Sequence, residues 1–177
     1  SKSKRIVLRN NGIINRYYAL RKDGSSTHTN AELTALAVKE LLKDHPDLTE
    51  KVELLSCGTS SPDQMMPSHG VQVHGNVPEL GAVEVVSPAG VCCAGMHALK
   101  YAFLAIKTGD VQNAIATGSE RFSASLRSKL FEDEVSKLIQ LEENPYISFE
   151  KDFLRWMLSD GASAFDMSNQ PNQEGLS

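Results

Sequence analysis

The chain has 177 residues, 41% hydrophobic and 23% charged. That is the length of one domain or one large lobe, and a chain of this size buries roughly 70% of the surface its unfolded form exposes, so it needs no disulfide or metal to hold a core. Its 18 Lys and Arg against 22 Asp and Glu leave a net charge of −4, which excludes a polybasic nucleic-acid domain and a general attraction to anionic membranes. No apolar run approaches the roughly 20 residues that span a bilayer, and the basic start SKSKRIVLRNNG has no apolar segment of the secretory kind. The three cysteines, Cys57, Cys92 and Cys93, are odd in number and sparse. They argue against a secreted disulfide framework and for a reducing, cytoplasmic setting.

In chain order, Ile6–Leu8 is a short apolar run and Asn10-Asn11-Gly12 a turn signal. Thr29 to Glu32 fits a capping box. Leu33, Leu36, Ala37 and Leu41 follow as one apolar stripe, and Asp44-His45-Pro46 ends this first predicted helix. Val52–Cys57 reads as a strand before Gly58. Residues 58–70 read as a loop or short helix rich in Thr, Ser and Pro, with Met65-Met66 inside it. Val83–Val86 is a second strand candidate. The run from Cys92 to Asp110 carries Met96, Leu99, Phe103 and Ile106 on one face and Ala94, Ala98, Ala102 and Ala105 on the next. Apolar and small residues on most faces predict a buried helix, stopped at Gly109. Ala114–Thr117 is a third strand. Leu126–Glu143 is a more polar predicted helix, Phe153–Leu158 an apolar run, and Ala162–Met167 a fourth strand after the turn at Asp160-Gly161. Strands alternating with helices imply an α/β layer structure with a largely parallel sheet.

Several common catalytic signatures are missing: no GxGxxG, Walker loop, HExxH, GxSxG or CxxC occurs. The five histidines, His28, His45, His69, His74 and His97, are scattered. His69 and His74 suggest a metal pair, but no nearby Cys or carboxylate completes a ligand set. The informative stretch is Val85 to Met96, where a strand passes through a short turn into the buried helix with two cysteines at the junction. First-turn amides lack intrahelical partners and the helix dipole is positive there. A thiol so placed is expected to ionise readily, and the same amides are expected to hold an oxyanion. Packing is the competing reading, since cysteine is often a small buried hydrophobe. A vicinal redox pair of Cys92 and Cys93 ranks below either.

These residues resemble a known family. The run EVVSPAGVCCAGMHALKYAFLAIKTGDVQNAIATGSERFS, Glu84 to Ser123, looks like the nucleophile strand and helix of the thiolase-fold condensing enzymes, and within them is most similar to β-ketoacyl-acyl-carrier-protein synthase III. Gly12-Ile-Ile-Asn-Arg16, Thr59-Ser-Ser-Pro-Asp-Gln-Met-Met-Pro-Ser68 and Asp160-Gly-Ala-Ser-Ala164 resemble further motifs of that family in the right order, so the likeness spans residues 12–167. It implies a thiolase-like layered α/β lobe with a mixed, mostly parallel sheet and a buried nucleophile helix. It implies Cys93 as the acylated nucleophile and Cys92 as a packing residue. An acyl group would pass to Cys93 from coenzyme A or an acyl carrier protein and be condensed with a malonyl-carrier unit, with loss of carbon dioxide and no cofactor. The 58–68 loop would reach the acyl pocket of the partner subunit in a homodimer. Met66 would stand where the family often has an aromatic residue, admitting longer or bulkier acyl groups.

Departures from the pattern are equally specific. Family members have two similar halves, with the catalytic His and Asn in the second, and none of the five histidines lies in a matching motif. The family's first strand is not found before Ser1, and Ser159 and Ser163 replace glycines. The whole of residues 1–177 is therefore expected to be an N-terminal lobe, a fragment unable to condense alone. Two other readings stay open: a non-catalytic partner subunit or carrier-docking module of the same fold, and a generic α/β binding domain in which Cys93 is a core residue.

Overall fold

The computed structural model describes residues 8–124 and 157–170. They fall in two compact units, Ser1–Thr27 with Arg121–Asp160 and His28–Glu120 with Gly161–Ser177. The predicted helix Leu126–Glu143 and most of Phe153–Leu158 and Ile6–Leu8 lie outside the described residues.

In the first unit the Asn-Asn-Gly turn is realised with Gly12 at φ 67°. Leu20 and Ser26 form an antiparallel bridge, closed by Asp23, whose carboxylate accepts from the Ser25 amide at 2.8 Å and hydroxyl at 2.7 Å. Asp160 is the unit's tie point: it accepts the Ala19 amide at 2.7 Å and the Ser123 amide at 2.9 Å. Ser159, at a position where the resemblance implies glycine, accepts the Tyr17 amide at 2.8 Å. Its hydroxyl therefore anchors backbone here.

The second unit holds the sheet. Helix α1 is Asn30–Asp44. Its capping box forms as the sequence predicts, with the Glu32 amide donating to the Thr29 hydroxyl at 3.1 Å and the Thr29 amide donating to the Glu32 carboxylate at 2.7 Å. Its buried face differs from the predicted stripe. Ala31, Thr34, Ala35, Val38 and Leu42 are buried, whereas Leu36 is exposed. Both sets follow helical spacing; the smaller residues are the ones that let the helix approach the sheet. A short helix α2, Leu48–Lys51, and helix α3, His69–Gly75, were not predicted.

Four strands pair in the order β2-β1-β3-β4, with β1 Leu54–Thr59, β2 Glu84–Val86, β3 Asn113–Glu120 and β4 Gly161–Ser168. β1 is parallel to β2 and β3, and β4 runs antiparallel to β3. The sheet is therefore mixed and mostly parallel, as expected. On one face Leu55, Cys57 and Ile115 pack with residues of α1, α2 and α3. On the other, Leu54, Ala114 and Ala116 pack with helix α4, Ala94–Thr108. This gives three layers, helix on both faces of the sheet.

α4 is not the wholly buried helix that its composition predicts. Only Ala94, Ala98, Ala102 and Ala105 are buried, and Met96, Phe103 and Leu104 are exposed. The buried residues recur at spacings of 4, 4 and 3, which is one helix face. Ala102 and Ala105 pack with Ala114 and Ala116 on β3, so small residue faces small residue and the helix axis lies close to the sheet. The approach is tightest at the start of α4. A methyl group on Gly58 of β1 would come within 2.2 Å of the Ala94 carbonyl oxygen, and one on Gly118 of β3 within 3.3 Å of the Gly95 Cα. Gly109 closes α4 at φ 78°, as the sequence predicts. Among the described residues no helix is long and apolar enough to cross a membrane.

Gly58→Ala is expected to lower stability by roughly 1–3 kcal/mol, the cost of overpacking against atoms that cannot turn aside. Gly75→Ala, with nothing within 4 Å of the added methyl, is expected to be neutral or slightly stabilising. Urea melts of the two variants check the contrast.

Candidate active site

β2 leads through Ser87-Pro88-Ala89-Gly90 into a 3-10 turn, Val91–Cys93, which runs directly into α4. Val91 has φ 50°, a left-handed conformation that costs a β-branched residue on the order of 1–3 kcal/mol. Such strain needs surrounding structure to hold it. Part of that hold is the Ser60 hydroxyl, which donates to the Val91 carbonyl oxygen.

Cys93 occupies the N-cap position of α4 and is exposed. Its thiol donates to the Gly90 carbonyl oxygen at 2.8 Å. The sulfur therefore stands at the positive end of a 15-residue helix, open to reactants. Two details differ from expectation. The Cys93 amide already donates to Gly90 O at 3.0 Å, and the Ala94 amide to Val91 O. The 3-10 turn uses donors that the sequence suggested were vacant. Cys92 is exposed as well, so it does not pack in the core. Cys57 is the buried cysteine, and its thiol is pushed up to about 12 by burial.

Beside this turn lies a cleft of about 470 Å³, lined on one side by Pro88, Ala89, Gly90 and Val91 and on the other by Thr59, Met65, Ser68 and His69 among others. Met65 lines it; the neighbouring Met66 is 85% exposed on the same loop. Two carboxylates fasten the loop. Glu120, at the end of β3, accepts the Ser60 amide at 2.8 Å and the Ser61 hydroxyl at 2.6 Å. Asp63 accepts the Asn30 and Ala31 amides, both at 2.9 Å, at the N-terminus of α1. At the far end, the Gly70 amide donates to Ser87 Oγ at 2.9 Å, and Ser87 Oγ donates to Ser68 Oγ at 3.0 Å.

His69 is 3% exposed. Its Nε2 lies 3.2 Å from Thr34 Oγ1 and 3.1 Å from Ser119 Oγ. Thr34 gives its own proton to the Asn30 carbonyl at 2.9 Å and so faces Nε2 as an acceptor, which puts the ring proton on Nε2. Burial lowers the pKa of His69, against the opposing pull of Asp63 and Glu120. His74 donates to Gly81 O at 2.9 Å. The two histidines are thus engaged separately, and among the described residues no group of three His, Cys, Asp or Glu could hold a metal. Sequence reasoning singled out Cys93 but missed the roles of His69, Glu120 and Asp63. Asp63 and Glu120 stood inside quoted motifs, yet their partners are 33 and 60 residues away, and no local pattern marks such pairs.

With iodoacetamide at neutral pH, Cys92 and Cys93 are expected to label in the folded protein and Cys57 only on unfolding; peptide mapping reads the order. A second expectation concerns acid. Because the folded pKa of His69 lies below that of the unfolded chain, protonation favours unfolding. Its contribution to stability is present above about pH 6.5, the ordinary imidazole value, and is lost as pH falls below it. His69→Gln is expected to flatten this part of the stability–pH curve, measured by urea midpoints from pH 7.5 to 5.

Comparison with known proteins bears on this site. No family model matches the chain. It is 30% identical over 107 residues to β-ketoacyl-[acyl-carrier-protein] synthase III 2 of Deinococcus radiodurans, covering 60% of this chain and 31% of that protein. It is 27% identical over 115 residues to the β-ketoacyl-[acyl-carrier-protein] synthase III of Rhodospirillum rubrum, covering 65% of this chain and 34% of that protein. The chain thus spans about a third of the length of the curated relatives it matches. Among solved structures, 3-oxoacyl-[acyl-carrier-protein] synthase III of Aquifex aeolicus superposes with a TM-score of 0.71 at 19% identity, over 96% of this chain and 46% of that one. AbyA1, a tetronic acid condensing enzyme, gives 0.68 at 19% identity, over 89% and 41%. The fold, the parallel strands feeding α4 and the sequence matches agree: the chain is a thiolase-fold relative of the β-ketoacyl-acyl-carrier-protein synthase III condensing enzymes, matching roughly the N-terminal half of their chain.

Proposed function

We propose that this chain is the acyl-accepting lobe of a condensing enzyme of the synthase III type, and that Cys93 is its nucleophile. The observation that carries the reading is an exposed thiol at the N-cap of α4 beside a cleft of about 470 Å³. The sulfur attacks the carbonyl carbon of an acyl thioester of coenzyme A or a carrier protein. The new thioester forms on Cys93 as the donor thiol leaves. The positive end of the α4 dipole favours the sulfur anion and the developing oxyanion. The acyl chain lies in the cleft, and the 59–68 loop with Met65 and Met66 sets the length and bulk admitted; methionine is flexible enough to adapt to varied chains. Condensation of the bound acyl group with a malonyl-carrier thioester, releasing carbon dioxide, is the second half of the proposed reaction. Its partners are an acyl carrier protein and a second copy of the chain.

Incubation with short- and medium-chain acyl-coenzyme A, followed by intact-mass analysis, is expected to give one acyl adduct that maps to Cys93 and is absent in Cys93→Ala. A folded protein that takes up no acyl group from any of them would favour a non-catalytic partner of the same fold.

A further inference from the structure

One wall of the cleft hangs on a single buried side chain. His69 is the first residue of α3, and with Ser68 before it lines the cleft on the side facing Ala89 and Gly90. Its Nε2 lies 3.2 Å from Thr34 Oγ1 on α1 and 3.1 Å from Ser119 Oγ on β3, so one ring joins three elements. Nε2 holds the ring proton, because Thr34 gives its own to the Asn30 carbonyl. Nδ1 therefore presents a lone pair. That atom is buried and, among the described residues, has no hydrogen-bond partner.

A neutral ring is tolerated here and a charged one is not. The cation carries a second N–H, at Nδ1, and a buried charged donor with nothing to receive it costs far more than a buried lone pair. Burial accordingly lowers the pKa of His69. The surrounding charges do not reverse this. Asp63 in the loop and Glu120 on β3 pull the other way, but Asp63 accepts the Asn30 and Ala31 amides, and Glu120 the Ser60 amide and Ser61 hydroxyl. α1 carries Glu32, bonded within the capping box, and Lys39, Glu40, Lys43 and Asp44 beyond Thr34. On β1 the thiol of Cys57 is buried. On β2 Glu84 accepts the Tyr101 hydroxyl at 2.8 Å, and Asp166 of β4 interacts with His45, Asp47 and Lys51. His74, at the other end of α3, is engaged with Gly81 O. None of these bonds Nδ1.

The rest of the hold on α3 is slight. The helix has seven residues, two of them glycine, and buries only His69, Gly70 and Val73. Its start is tied to the turn before α4 by the Gly70 amide, which donates to Ser87 Oγ at 2.9 Å. An element with so few buried side chains opens at a lower free energy than the sheet beneath it. Water admitted by that opening gives Nδ1 of the cation its acceptor.

We propose that the Thr34–His69–Ser119 contact is an acid-released latch: protonation of His69 frees the start of α3 and the loop leading into it, and widens the cleft while the sheet stays folded. The inference holds whatever the cleft binds, so it stands apart from the acyl-accepting role of Cys93. The latch is closed above about pH 6.5, the ordinary imidazole value, and is lost as pH falls below it.

Cys57 reports the opening, because it lies in the same buried cluster as Val73 of α3. The full chain carrying Cys92→Ala and Cys93→Ala keeps it as the one thiol. Its reaction with 4,4′-dithiodipyridine, a reagent that attacks thiols in acid as well as at neutral pH, is followed from pH 7.5 to 5 relative to glutathione, alongside far-UV circular dichroism. The relative rate is expected to rise about 10-fold over this range, the order that release of a depressed imidazole sets, with the circular dichroism unchanged. Adding His69→Gln, whose amide can still donate to Thr34 but takes up no proton, is expected to leave the rate flat. Hydrogen exchange of the unsubstituted protein reads the same event whether or not that variant folds: residues 68–75 lose protection in acid while residues 54–59 keep theirs. The proposal is overturned by a flat Cys57 rate in the protein that retains His69, by a rise that persists in folded His69→Gln, or by a loss of protection that residues 68–75 and 54–59 share.

Discussion

The structure depends on how closely one helix can lie on one sheet. α4 meets β1 and β3 through alanines on its own side and through Leu54, Ala114, Ala116 and two glycines on theirs. At the strand ends the helix backbone touches the sheet backbone, with no room for a β-carbon at Gly58. That contact sets the height of the first turn of α4 above the carboxyl ends of the parallel strands. There the dipole of the helix and the open end of the sheet converge on Cys93, in the crevice position where α/β sheets bind ligands.

The cleft beside the thiol is built on a second principle, local anchoring of a loop by charge. The segment that follows β1 has little apolar side chain to bury. Glu120 and Asp63 hold it instead, each carboxylate accepting two donors. Such charge-assisted bonds are the stronger kind. Below them His69, Thr34 and Ser119 form a buried polar contact that joins α3, α1 and β3. The cleft therefore has one wall fixed by hydrogen bonds and another fixed by the strained turn at Val91.

Much of this was legible in the residues and some was not. The capping box at Thr29 and Glu32, the stop at Gly109 and all four strands were readable, because each is announced by near neighbours in sequence. Strand limits shifted by one to three residues, as with Ala114–Thr117, which extends to Asn113–Glu120; pairing partners, not composition, decide where a strand ends. The exposure of Met96 and Phe103 was not readable. Both faces of α4 are apolar, and only the small size of Ala114, Ala116 and Gly118 across the gap selects the alanine face. Helix α3 escaped because its seven residues carry two glycines and no apolar stripe. At the site, Cys93 was marked by its place between strand and helix.

An alanine interface has a further consequence. Alanine has no rotamers to lose or to exchange, so at its four buried positions α4 cannot adjust by repacking its own side chains in the way that leucine or methionine would there. Any larger side chain at positions 94, 98, 102 or 105 must lift the whole rod, and the sulfur at its tip with it. Any change in the shape of the cleft is thereby left to the loop of Met65 and Met66, while the start of α4 keeps its station.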